Sequence, residues 1–223
     1  IAMALGYLHK KGIVHRDLKL ENILVDMNGY LKIIDFGLAK MLDSQESTKT
    51  YCGTPEYLAP EMIQQTGHNY GIDWWALGIL IYEMRIGVTP FFNKNKNLLL
   101  TKIQRAKVIF PDKEKYSLDY SDEFVDIVEK LLCKNPAQRL GQKNDVHEVL
   151  SHPWFADLNI EDIEAEKIEP PLKPDVKSGQ VDFKYFNLKQ QSVADSFMPP
   201  EKIQRIQNNK HKFKDFDQSG NNQ

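Results

Sequence analysis

His15-Arg16-Asp17-Leu18-Lys19-Leu20-Glu21-Asn22, followed after one hairpin by Asp35-Phe36-Gly37, is the stretch on which the reading of this chain turns. Within it stand two carboxylates, an amide and a cation. Ile23-Leu24-Val25 and Leu31-Lys32-Ile33-Ile34 read as short strands, and Asp26-Met27-Asn28-Gly29 between them carries the Asn-Gly pair that favours a tight hairpin turn. That hairpin returns Asp35, at the end of its second strand, to the side of Asn22, just before its first. Asn22 and Asp35 both offer oxygen, the donor that a hard cation such as Mg²⁺ requires. Gly37 lets the backbone turn sharply after Asp35.

Working outward, Ile1, Ala4, Leu5 and Leu8 fall at helical spacing, so residues 1–11 read as the end of an amphipathic helix stopped by Gly12. The chain opens at Ile1 inside that periodic segment, and the expectation is a fragment whose upstream part is missing. Residues 38–61 are rich in Ser, Thr, Gly and Pro and read as a long functional loop. Asp73 to Ile86 is apolar nearly all round, which predicts a central buried helix, with Asp73 able to cap it. Further helices are expected near 95–106, 121–133 and 144–151, the second with a capped start at Ser121, and Asn135-Pro136 and His152-Pro153 mark stops. After Phe155 the composition turns to Lys, Gln, Asn, Asp and Glu with scattered Pro. Residues 156–223 hold too little apolar surface for a core of their own. They read as a tail lying across another surface, anchored by Phe183, Tyr185, Phe186, Phe197, Phe213 and Phe216.

At 223 residues and a net charge of -2, the chain can build one sizeable core and has no general attraction to nucleic acid or anionic membrane. No apolar run is long enough for a spanning helix. Cys52 and Cys133 form neither a disulfide framework nor a metal-ligand spacing, in keeping with two reduced thiols in a cytosolic or nuclear protein.

The motif His-Arg-Asp-x-x-x-x-Asn followed by Asp-Phe-Gly resembles the signature of protein kinases. Three further stretches follow in order. Cys52-Gly53-Thr54-Pro55-Glu56-Tyr57-Leu58-Ala59-Pro60-Glu61 resembles the end of an activation segment, Asp73-Trp74-Trp75-Ala76-Leu77-Gly78 the helix start after it, and Asn135-Pro136-Ala137-Gln138-Arg139-Leu140 supplies the late arginine. The resemblance implies a mainly α, protein-kinase-like C-terminal lobe over 1–155, with short β-hairpins at the catalytic site, and an extended tail over 156–223. It implies ATP and Mg²⁺ as cofactors and phosphoryl transfer as the reaction. Asp17 would be the base and Lys19 would offset charge on the moving phosphate. Asn22 and Asp35 would hold the metal, with Lys19 and Glu21 beside them on the nucleotide side. Lys19 and Gly53-Thr54-x-x-Tyr57 are similar to the Ser/Thr rather than the Tyr kinases, and in that family Thr54 would bridge Asp17 and Lys19. Thr50 stands at the family's activating phosphosite, which an upstream kinase would modify, with Arg16 as the phosphate's partner. Glu61 and Arg139 would form a buried ion pair, and Asp73 would hold the backbone of the His15-Arg16 turn. Glu21, Glu56 and Glu83 match acids that bind upstream Arg, which points to substrates of the form Arg-x-x-Ser/Thr.

Arg139-Leu140-Gly141 and His152-Pro153-Trp154-Phe155 are similar to the AGC group of kinases, whose members carry such a tail. Glu169-Pro170-Pro171-Leu172-Lys173-Pro174 resembles its early Pro-rich part. Phe213-Lys214-Asp215-Phe216-Asp217 resembles the hydrophobic motif that docks on the N-terminal lobe, with Asp217 where many members have a phosphorylatable hydroxyl. Tyr185-Phe186-Asn187-Leu188-Lys189-Gln190 departs from the family's Phe-Asp-x-x-Phe/Tyr. No Gly-x-Gly-x-x-Gly loop, strand Lys or partner Glu precedes residue 15, so the N-terminal β-lobe that covers ATP is missing from this stretch and little catalysis is expected of it alone. The competing reading is a truncated or pseudokinase-like scaffold that binds basic partners without catalysis. The intact Asp17, Lys19, Asn22 and Asp35 weigh against it.

Overall fold

The computed structural model of the chain describes residues 1–42 and 48–174. The chain divides into two units, Ile1–Pro174 and Asp175–Gln223, and the second lies outside the described residues. The expectations for Phe213, Phe216 and the other tail aromatics therefore fall outside them too.

The first unit is helix-rich with two small sheets. Helix α1 (Ala2–Lys10) leads into strand β1 (Ile13–Val14), and β2 (Ile23–Val25) and β3 (Leu31–Ile33) form an antiparallel hairpin with Ile23 opposite Ile33. Strand β4 (Lys40–Met41) returns to pair with β1, Ile13 opposite Met41. Then come α2 (Pro60–Gln64), α3 (Gly71–Ile86), α4 (Lys96–Arg105), α5 (Lys113–Tyr116), α6 (Asp122–Leu131), α7 (Asp145–Leu150) and α8 (Ile160–Glu164). No helix of the described residues is long and apolar enough to cross a membrane.

Helix α3 is the spine of the core. Every residue from Gly71 to Tyr82 is buried, and Trp74 and Trp75 are fully so. It stops at Gly87, whose φ of 87° lets the amide close back on the Glu83 carbonyl. Helix α6 presents Phe124, Ile127, Val128 and Leu131 as a buried stripe against α3, each contributing roughly 2 kcal/mol of burial. The two helices touch at Gly78, where a Cβ would lie 2.8 Å from that of Leu131. Ser121 caps α6 by accepting from the Phe124 amide at 3.2 Å, as its sequence implied.

Three local expectations change. Residues 38–61 are not structureless: they contain β4, a 3-10 turn at Pro55–Tyr57 and the start of α2. A two-residue strand pairing across the chain leaves no periodicity to read. Asp73 does not cap α3. The N-cap is Tyr70, without a side-chain bond, and the Asp73 carboxylate turns inward to other partners. Residues 156–174 are not merely an extended tail, since Ile160–Glu164 is helical and Asn159 caps it.

Two buried polar ties join distant elements. Arg139 grips Glu61 with both terminal nitrogens, Nη1–Oε1 at 2.6 Å and Nη2–Oε2 at 2.9 Å, and donates to the carbonyls of Gly71 and Cys133. The start of α2, the start of α3 and the loop after α6 are thus held together. His9 of α1 donates Nε2 to Asp73 at 3.0 Å and Nδ1 to Asp145 at 2.7 Å, while the Trp74 indole also donates to Asp145. Burial alone would lower the His9 pKa, but the bonds to Asp145 and Asp73 outweigh it and raise it to about 9.

Glu61→Ala leaves a buried guanidinium uncompensated, and a loss of about 3–5 kcal/mol in urea unfolding is expected. A loss under 1 kcal/mol would mean that Arg139 finds another partner. For His9 the folded pKa lies above the unfolded value, so its contribution is complete below pH 6.5 and disappears as pH rises through about 9. Relative to His9→Gln, the chain should lose stability on the order of 3 kcal/mol across that window. A pH-independent difference between the two proteins would contradict a charged His9.

Candidate active site

The loop 15–22 is built around the Asp73 carboxylate, which is completely buried. Its Oδ2 accepts from the His15 amide and its Oδ1 from the Arg16 amide, both at 2.9 Å. Arg16 is thereby held at φ 69°, a conformation that non-glycine residues seldom adopt. The His15 ring is buried and meets the Phe36 ring edge-on at 5.2 Å.

Asp17 sits at the centre of a polar cluster. Lys19 Nζ donates to its Oδ2 at 2.9 Å. Thr54 donates both its hydroxyl, at 2.9 Å, and its amide, at 3.1 Å, to Oδ1. Lys19 also donates to the Thr54 hydroxyl at 3.0 Å. Asn22 Nδ2 donates to the Asp17 carbonyl at 2.8 Å and to Oδ2 at 3.1 Å. Burial pushes the Asp17 carboxyl up, but Lys19, Thr54 and Asn22 outweigh it and hold the group below the usual carboxylate range. It is an ionised acceptor at neutral pH.

The hairpin returns the residue before Asp35 to Asn22. The Ile34 amide donates to the Asn22 carbonyl at 2.9 Å, one step past the β2–β3 ladder. Asp35 is exposed, at φ 62°, with Oδ1 accepting from the Gly37 amide at 3.0 Å. Because Asn22 spends its amino group on Asp17, its Oδ1 is the atom left for a ligand. No group of three or more His, Cys, Asp or Glu side chains able to hold a metal occurs among the described residues. An amide oxygen and an exposed carboxylate still fit Mg²⁺, which keeps waters and substrate phosphates in its shell and needs only one or two protein carboxylates.

Thr50 is exposed, and its hydroxyl lies 3.2 Å from that of Thr48. Arg16 donates Nε to the Leu38 carbonyl at 2.5 Å, but its Nη1 is buried without a partner among the described residues. Thr48 and His68 exchange backbone bonds at 3.0 Å, and both ring nitrogens of His68 are buried and unpartnered among the described residues. Burial, then the Arg16 charge, lower the His68 pKa. The structure brings no direct contact between Arg16 and Thr50.

Of the three acids, Glu21 is exposed and Glu56 half-buried, and neither side chain has a hydrogen-bond partner among the described residues. Glu83 instead accepts from the Tyr57 hydroxyl, whose oxygen takes the Leu20 amide at 3.4 Å. Burial and the Glu83 carboxylate hold the Tyr57 phenol well above its ordinary pKa range. Tyr57, His9, Asp145 and His68 carried no role in the sequence reading. Their partners lie far along the chain, and only Tyr57, inside a motif, offered a signal.

Residues 1–155 match the protein kinase domain family. Over 203 residues the chain is 43% identical to a RAC serine/threonine-protein kinase of Drosophila melanogaster, covering 90% of this chain and 32% of that protein. It is 44% identical over 196 residues to the cAMP-dependent protein kinase catalytic subunit PRKX of Mus musculus, covering 87% and 53%. To the RAC-beta serine/threonine-protein kinase of Homo sapiens it is 40% identical over 208 residues, covering 92% and 42%. The chain thus spans about a third to a half of the length of these relatives.

Proposed function

The chain belongs to the protein kinase family, on its AGC-type serine/threonine branch, and from that premise we propose that it carries the catalytic floor of an enzyme that phosphorylates Ser and Thr hydroxyls of proteins with ATP. The observation that carries this reading is the Asp17 carboxylate, held at once by Lys19, Thr54 and Asn22. A carboxylate fixed on three sides and ionised is what a general base for an alcohol requires. Asp17 accepts the hydrogen bond of the substrate hydroxyl and orients its oxygen in line with the γ-phosphorus. As the new O–P bond forms, the bond to the bridging oxygen breaks, ADP leaves, and the hydroxyl proton passes to Asp17. Lys19 stands beside the moving phosphate and offsets its charge. Thr54 locks Asp17 and Lys19 together, which ties the chemistry to the position of residues 50–58. Asn22 Oδ1 and the Asp35 carboxylate would hold Mg²⁺, and Glu21 and Lys19 would face the nucleotide. When bound, Mg²⁺ neutralises charge on the phosphates.

Thr50 is the hydroxyl that an upstream kinase modifies. The buried, unpartnered Nη1 of Arg16 supports this, since a phosphate there would satisfy it. Glu21, Glu56 and Glu83 form the acidic ground for Arg upstream of the acceptor, with Glu83 already oriented by Tyr57. Leu24, Leu31, Phe36 and Met41 are exposed around the hairpin and Asp35. They form the seat of a second lobe, which brings the phosphate-covering loop and receives Phe213 and Phe216. These residues alone have little activity, and the setting is cytoplasmic or nuclear.

The test is peptide phosphorylation by the protein that carries this chain. Asp17→Asn should lower kcat by roughly 10²–10⁴ with little change in KM for ATP. Near-normal turnover would remove Asp17 from the mechanism. Thr50→Ala should cost at least about tenfold in kcat/KM, and Thr50→Glu should restore part of it. For substrate choice, a peptide array should show preference for Arg at upstream positions, and Glu83→Gln should weaken it. An array indifferent to upstream Arg would refute the role of the three acids.

A further inference from the structure

The match to the kinase domain ends at residue 155, yet the compact unit continues to Pro174. Beyond α8 the chain crosses the turn of the β2–β3 hairpin. The Tyr30 hydroxyl donates to the Ile168 carbonyl at 2.6 Å. Lys32 lies 3.6 Å from Glu166 and 3.4 Å from Asp26, surface pairs that add little. The closest approach is at Gly29. Its φ is 93°, and a Cβ there would fall 2.3 Å from the Leu172 carbonyl oxygen and 2.7 Å from the Pro170 side chain. Glycine thus serves the turn and the seating of the segment together. A cleft of about 390 Å³ opens beside these contacts, so the segment holds the turn at a few points rather than by continuous packing.

The hairpin needs such support. It has three residue pairs, and a lone two-stranded hairpin is marginal in water. Leu24, Val25, Met27 and Leu31 are exposed, so core packing does not secure its outer end. Its inner end carries Asn22 on one arm and Asp35 on the other, joined by the single bond from the Ile34 amide to the Asn22 carbonyl. Any twist or fraying at the turn is passed along a lever of a few residues to that pair.

We propose that residues 166–172 act as a positioning clip: seated on Gly29 and Tyr30, they fix the hairpin and with it the separation of Asn22 and Asp35, and so set how tightly that pair holds its metal. The metal part rests on the assignment of Asn22 and Asp35 given above. The geometry of the clip does not. Its residues lie beyond the matched domain, and their action on the pair runs through the hairpin.

The test uses the protein that carries this chain, with Tyr30→Phe, which removes one hydroxyl, and Gly29→Ala, which unseats the segment. Two quantities are read: amide hydrogen exchange at Tyr30 and Ile34, and the affinity for Mn²⁺ in the presence of ATP by electron paramagnetic resonance. Both variants should speed exchange roughly two- to tenfold, the range that follows from losing one hydrogen bond. They should weaken Mn²⁺ binding by a similar factor while the melting temperature of the lobe stays nearly constant. Unchanged exchange in both variants overturns the clip. Faster exchange with unchanged Mn²⁺ affinity overturns its link to the metal pair. Asn22→Ala and Asp35→Ala serve as the reference. If they too leave Mn²⁺ affinity intact, the metal assignment has failed, and hydrogen exchange alone then decides whether the clip exists.

Discussion

The Asp73 carboxylate is taken wholly out of water on the first turn of α3, and a buried charge of that kind survives only if its acceptor sites are filled. Here they are filled by two successive backbone amides of the loop 15–22 and by a histidine from α1. The charge is therefore satisfied only when the loop takes one backbone path. That path puts Arg16 in a left-handed conformation and turns Asp17 toward Lys19, Thr54 and Asn22. The core helix is thus a rigid post, and the chemistry hangs from it by hydrogen bonds that cannot be exchanged for water. His9 links that same carboxylate to Asp145 of α7, so the anchor is itself braced from the far side of the lobe.

The second half of the site is held differently. Asp35 also has a positive φ, but it is exposed, and no buried charge enforces its position. It is carried by a three-pair hairpin whose outer side chains face solvent. The two oxygen donors proposed for Mg²⁺ consequently differ in rigidity: Asn22 is pinned through Asp17, while Asp35 follows the hairpin and whatever covers it. This asymmetry suits the proposed nucleotide site, whose ligands would have to receive a nucleotide and then let it go.

What could be read from the chain was what is local along it. The loop 15–22, the Asn28-Gly29 turn, the Ser121 cap and the buried run of α3 all announce themselves within a dozen residues, because spacing and turn chemistry act over that range. The Asp73 bonds to residues 15 and 16, and the link from His9 to Asp145, join positions 57 to 136 residues apart. No periodicity encodes them, and likeness to a family supplied the Asp73 role where physics alone suggested a helix cap. Strands β1 and β4, two residues each, fall below any pattern length. Tyr57 looked like part of a motif, and only the folded chain shows that it orients Glu83 and receives the Leu20 amide.

The three nitrogens on Arg16 and His68 that lack a partner among the described residues have a thermodynamic consequence of their own. Each buried donor or acceptor left without a partner raises the free energy of the folded chain by about 1–3 kcal/mol. The lobe is accordingly less stable than its packing would allow, and two of these atoms belong to His68, whose backbone pairs with Thr48. By linkage, an anion that accepts from the Arg16 guanidinium in the folded state, and not in the unfolded one, shifts the unfolding equilibrium by the free energy with which it binds. Under the proposed modification of Thr50, a phosphate that reached Arg16 would strengthen the fold against heat by the free energy of that new contact.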